Sequence, residues 1–136
     1  MRSLSDFEGA WQIARAVEDF TGGPLVRLDG TARFITGDGG LWLHEVGEMR
    51  IGDAAPMQAE RRYFWQANGA QIDTYFDDLR PFHSFDPAQD APAAHHDCAP
   101  DAYDVAYDFG DWPQWQARWR VRGPRKDYQM ITRYWR

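Results

Sequence analysis

The chain has 136 residues, 43% hydrophobic and 15% aromatic, with 21 Asp and Glu against 15 Lys and Arg for a net charge of -6. That length suits one domain, residues 1–136, while the aromatic content excludes a disordered chain and the acidic balance disfavours nucleic acid as a main partner. No apolar run reaches membrane-spanning length, the opening MRSLSDFEGAW lacks the apolar core of a signal peptide, and the lone Cys98 precludes an internal disulfide, so a cytoplasmic protein free of the membrane is expected.

In chain order, Ser5 and Glu8 have capping-box spacing and predict one short helical turn before the first strand. In FEGAWQIARAVED, strand alternation puts Trp11, Ile13, Arg15 and Val17 on one face, an arginine within an apolar row. Turn signals then recur: TGGP at Thr21, TGDGG at Thr36, IGDAAP at Ile51, ANG at Ala67, GDWP at Gly110 and RGPRKD at Arg122. In GLWLHEVGEM, Leu41, Leu43 and Glu45 oppose Trp42, His44 and Val46, and alternation alone does not settle which face is internal. In MQAERRYFWQ, Met57, Ala59, Arg61, Tyr63 and Trp65 oppose Gln58, Glu60, Arg62, Phe64 and Gln66. DPAQDAPAA, from Asp86, resists both helix and central strand and predicts a loop.

Two later segments alternate strongly. Tyr103, Val105, Tyr107 and Phe109 oppose Asp104, Ala106 and Asp108, while Trp115, Ala117, Trp119 and Val121 oppose Gln116, Arg118, Arg120 and Arg122. The last segment puts Tyr128, Met130, Thr132 and Tyr134 on one face; Arg136 shares their parity and Arg133 does not. About ten strands with short connections predict an all-β fold, an antiparallel up-and-down barrel closed to remove its edges.

Gly9-Ala10-Trp11 resembles the Gly-x-Trp that opens the first strand of lipocalins and other calycin barrels. The resemblance implies that a terminal arginine packs across Trp11, Arg136 by parity, with Arg133 as the alternative if a bulge intervenes. More of the chain is similar to a bacterial lipocalin-like, calycin-type family of unknown function. The matching pieces are FEGAWQIAR, HEVGEM, RRYFW, FHSF, HHDCAPDAY and WRVRGPRKDYQMITRYWR, in order over nearly the whole length. They carry Arg15, Glu45, Gly47, Tyr63, Trp65, Phe82, His83, His96, Cys98, Asp101, Tyr103, Gly123, Pro124, Lys126, Asp127 and Tyr128. The resemblance implies a barrel fold and brings no assigned reaction.

An arginine inside a barrel keeps its proton and therefore needs a partner. Glu45 is the matching charge for Arg15, and Arg61 is a second inward cation. Either Arg15 and Glu45 form a structural pair, or Arg15 or Arg61 receives a ligand carboxylate through parallel hydrogen bonds. The inward tyrosines and tryptophans carry hydroxyl and indole donors that a dry aliphatic core would not need. The expected ligand-binding set is Arg15, Glu45, Arg61, Tyr63, Trp65, Tyr107, Trp119 and Tyr128, around a small aromatic or carboxylated organic molecule.

An alternative is an enzyme using His83, His96, Asp101 and Tyr103 for proton transfer, and the blander option is that these four hydrogen-bond one another at the rim. His83, His96 and Cys98 offer three metal donors with an open position, but no His-x-x-x-His or Cys-x-x-Cys spacing supports them, so no metal or cofactor is expected. Arg118, Arg120 and Arg122 are expected to pair with Asp104 and Asp108 across strands rather than to meet nucleic acid. A third option is a homodimer through outward Trp42 and Phe64. No glycine-rich phosphate cradle or serine-nucleophile motif is present.

Overall fold

The computed structural model describes residues 1–136. A 3-10 turn, Leu4–Phe7, precedes ten strands: β1 (Gly9–Asp19), β2 (Val26–Gly37), β3 (Gly40–Ile51), β4 (Met57–Asn68), β5 (Gln71–Phe76), β6 (Pro81–Phe85), β7 (Ala93–Cys98), β8 (Asp101–Asp108), β9 (Trp115–Arg122) and β10 (Asp127–Trp135). The single sheet runs β6-β5-β4-β3-β2-β1-β10-β9-β8-β7, with every neighbouring pair antiparallel. No helix is long and apolar enough to cross a membrane.

The predicted turn forms, with a different cap. The Ser3 N–H donates to the Asp6 carboxylate at 2.8 Å, while the Glu8 carboxylate accepts from the Thr36 hydroxyl at 3.0 Å. Ser3 and Asp6 have the same three-residue spacing as Ser5 and Glu8, and contact with β2 draws Glu8 away.

The first and last strands lie side by side, with Ile13 opposite Tyr134 and Arg15 opposite Thr132. Arg136 stacks over Trp11, its guanidinium 3.8 Å from the ring centroid, as the Gly-x-Trp resemblance implied. Its two terminal nitrogens donate to the Glu8 and Asp6 carbonyls at 2.8 and 2.9 Å, so the C-terminal residue ties down the 3-10 turn. Gly9 suits this junction: its φ is 108°, and a Cβ there would lie 3.3 Å from the Arg136 guanidinium.

The ring is nearly, not fully, closed, because no ladder joins β6 to β7. Of the stretch expected as a loop, 86–92 follows β6 as one while Ala93 and Ala94 open β7, and the Asp90 and Pro92 carbonyls accept from the Phe109 and Tyr107 N–H groups of the β8 side. A proline-rich connection of this length cannot make a tight hairpin, so side chains and loop backbone cover the seam.

At the end holding both termini, Phe7 is fully buried among Phe34, Trp65, Phe109, Trp112 and Trp115, with ring centroids 5.0 to 5.9 Å from its own. These are mostly edge-to-face contacts, the arrangement aromatic quadrupoles favour. The Trp11 indole donates to the Phe7 carbonyl at 2.8 Å. This end is plugged. The β1–β2, β3–β4, β5–β6, β7–β8 and β9–β10 connections lie at the other.

Burial settles the ambiguous strand: Leu41, Leu43 and Glu45 are buried inside. Gly47 shares their face, where a Cβ would sit 2.7 Å from the Asp29 carbonyl oxygen and 2.9 Å from Leu28, so glycine lets β2 and β3 coil tightly. On the outside, Phe64 is only 5% exposed under Trp42 and Tyr75, and the Trp42 indole donates to Asp38 at 2.8 Å. The outward apolar pair is thus largely covered within the chain.

The charge ladder differs from expectation. Arg120 pairs with Asp127 of β10, while Asp104 is held by His95 at 2.7 Å and Asp108 accepts from the Gly110 N–H. Arg120 stands between β8 and β10, and the carboxylate on the far side of its strand takes it.

Candidate functional site

The interior face of the barrel leaves a cavity of about 250 Å³ above the aromatic plug. Arg15, Glu45, Arg61, Tyr63, Trp65, Tyr107, Trp119 and Tyr128 all line it, as do His83 and Tyr103. Strand alternation is the cause: each of these residues shares the inward parity of its strand.

Arg15 is held by two partners. Its Nη2 donates to Glu45 Oε1 at 2.7 Å and its Nε to the Thr132 hydroxyl at 2.7 Å, while the other Glu45 oxygen accepts from the Tyr134 hydroxyl at 2.7 Å. Arg15 is 8% exposed and Glu45 3%, so this is a buried, hydrogen-bonded ion pair. Burial works to lower the Arg15 pKa, but the Glu45 charge and the Tyr134 hydroxyl outweigh it and hold the guanidinium protonated. Tyr134 is pushed well up, by burial first and the adjacent Glu45 charge second, so it stays a donor.

Arg61 contrasts with Arg15. It makes no ion pair, and its Nη1 only touches the Met130 sulfur at 4.0 Å. Three strands separate β4 from β10 in the sheet, so this contact reaches across the lumen. The cavity wall therefore carries one compensated pair and one cation without a carboxylate.

Aromatic faces supply the rest. Phe82 stacks on Trp119 with centroids 4.9 Å apart and planes 12° apart, and on Phe76 at 4.3 Å and 22°. Trp115 and Tyr134 lie face to face at 3.7 Å, and the buried Trp115 indole N–H has no hydrogen-bond partner.

His83 faces the lumen near the β6–β7 seam, its Nε2 2.7 Å from the Tyr107 hydroxyl and its Nδ1 2.9 Å from the Thr74 hydroxyl. Burial, assisted by the charge of His96, lowers its pKa from 6.5 to about 3, so the ring is neutral. Burial pushes the Tyr107 hydroxyl up, and that group stays protonated. These two side chains span from β6 to β8 where backbone pairing is missing.

The four rim candidates do not converge. His83 bonds Thr74 and Tyr107; Asp101 accepts from Lys126 at 2.9 Å; His96 packs edge-on against Phe82 with centroids 5.2 Å apart; Tyr103 lies 6.1 Å from His96, ring to ring. The short turn between β7 and β8 places Asp101 beside the β9–β10 turn, where Lys126 takes it. His83, His96 and Cys98 likewise form no donor set, since no three His, Cys, Asp or Glu side chains come together. Cys98 is exposed at the end of β7.

Thr74, Thr132 and Met130 are cavity residues that sequence reasoning gave no role. Met130 and Thr132 shared the inward parity of the last strand. Their partners, Arg61 and Arg15, come from β4 and β1, and no sequence spacing reports such contacts.

A ten-stranded, nearly closed antiparallel barrel with a polar and aromatic lumen is a lipocalin-like fold. The chain belongs to DUF6314, a family of unknown function, which matches residues 7–136. Its fold is similar to that of the S-type phycobiliprotein lyase CPES of Guillardia theta, with a TM-score of 0.66 at 10% identity, over 100% of this chain and 93% of that one. A structure assigned to AttH of Nitrosomonas europaea aligns at 11% identity and a TM-score of 0.30, over 98% of this chain and 53% of that one. No curated protein matches the chain.

Proposed function

We propose that this protein binds a small organic molecule, aromatic and carboxylated, inside the barrel. The observation that carries this reading is Arg61: a cation on the wall of an aromatic cavity, with no carboxylate of its own. A guanidinium presents a planar fork of donors that suits a carboxylate. Trp119, on the cavity wall beside Phe82, offers apolar surface for a flat ring, and Arg15, bound to Glu45 and Thr132, serves as scaffold. At about 250 Å³ the cavity is near the lower end of small-molecule pockets, roughly 300 Å³, and fits one or two fused rings. The likeness to a phycobiliprotein lyase supports the barrel scaffold. A reducing cytoplasm is the setting we assign, which the single exposed Cys98 suits.

Isothermal titration with 2-naphthoate tests the reading. The wild-type protein binds it, and Arg61→Met weakens binding at least tenfold; equal affinity in the variant removes Arg61 from the site. A catalytic reading ranks second, favoured by the Tyr107 hydroxyl and the neutral His83 ring held 2.7 Å apart on the cavity wall. Recovery of the added acid chemically unchanged after prolonged incubation counts against it.

A further inference from the structure

A second cavity, of about 210 Å³, lies on the other side of the Arg15–Glu45 pair. It shares Arg15, Glu45 and Arg61 with the aromatic cavity, and its remaining wall is Val17, Val26, Leu28, Met49 and Ala59, with Glu60 at its edge. Glu60 is engaged by His44 at 2.9 Å. The aromatic rings of the first cavity have no counterpart in the second, which is an aliphatic chamber between β1, β2, β3 and β4.

The divide between the two chambers has a fixed part and a loose part. Arg15 and Glu45 are locked by three hydrogen bonds of 2.7 Å. Arg61 crosses the lumen to a methionine sulfur, a weak acceptor at 4.0 Å, and is exposed. An incoming carboxylate is a far better partner for that guanidinium than a thioether. Arg61 can therefore exchange Met130 for an anion with little loss, and its departure from the lumen leaves the chambers in contact.

We infer that the two chambers form one bipartite site for a branched amphipathic acid. Its carboxylate sits at Arg61, its aromatic arm lies against Trp119 and Phe82, and its aliphatic arm fills the chamber of Val17, Val26, Leu28, Met49 and Ala59. This rests on the cavity-binding reading above and adds to it a ligand shape: both arms branch from the region of the carboxylate. Each methylene of the aliphatic arm gains affinity from leaving water against the Val17, Val26, Leu28, Met49 and Ala59 side of the chamber.

Phenylacetate and 2-phenyloctanoate test the inference, since they share a phenyl ring and a carboxylate and differ by a hexyl arm on the carbon bearing the carboxylate. By calorimetry the wild-type protein binds 2-phenyloctanoate at least tenfold more tightly than phenylacetate. Ala59→Phe, which fills the aliphatic chamber from β4, brings that ratio to within about threefold of unity; Val26→Phe does so from β2 and serves if the first variant does not fold. A ratio unchanged in the folded variant overturns the bipartite site and leaves single-chamber binding standing. Binding of neither acid to the wild-type protein removes the cavity-binding reading and this inference with it.

Discussion

Arg15 and Arg61 are both arginines on inward parity, yet the structure gives them opposite circumstances. Arg15 has Glu45 and Thr132, and Glu45 has Tyr134 in turn. Such a network adds little net stability over an apolar replacement, but breaking it on one side strands a buried charge. Glu45→Gln should therefore cost about 3–5 kcal/mol in chemical denaturation. The paired replacement Arg15→Met with Glu45→Met should cost less than Glu45→Gln alone. A loss under about 1 kcal/mol for Glu45→Gln would show that Arg15 finds other partners. The inward position of both arginines was legible from alternation, and so was the need for a counter-charge. Glu45 as the partner of Arg15 was legible too; that Thr132 and Tyr134 complete the network and that Arg61 reaches Met130 was not, because those contacts join β1, β3 and β4 to β10 and no sequence spacing reports them.

At the level of elements, β8 and β9 were legible because one face carries Tyr103, Val105, Tyr107, Trp115, Trp119 and Val121 while the other carries small, polar or charged residues. β3 was not, since Trp42 and Val46 on one face match Leu41 and Leu43 on the other in hydrophobicity. Outer-face packing of Trp42 on Phe64 accounts for the conflict. The open seam between β6 and β7 also escaped the sequence. Both strands are short, five and six residues, and the alternation that identifies a strand does not say whether its edge is paired. The opposite junction, between β1 and β10, depends on the 3-10 turn and on Arg136. Arg136→Ala removes a cation–π contact and leaves the Asp6 and Glu8 carbonyls without their donors. The expected loss is about 1–3 kcal/mol, with Arg136→Lys intermediate, measured by urea denaturation. Equal stability of all three proteins would show that Phe7 holds the plug unaided.

For the molecule as a whole, a barrel plugged at the end where its termini meet has its working space toward the other. The plug is made of rings packed on one another, and the lumen beyond it holds the Arg61 guanidinium beside the Trp119 and Phe82 rings. The acidic net charge of -6 makes a basic group on the cavity wall the exception rather than the background. On the reading proposed above, this distribution of charge favours a small organic anion. A crystal structure determined in the presence of 2-naphthoate tests this most directly. The account predicts the naphthalene ring inside the barrel against Trp119, with its carboxylate within hydrogen-bond distance of Arg61. A ring bound outside the barrel, or a carboxylate inside it that leaves Arg61 on Met130, would contradict it.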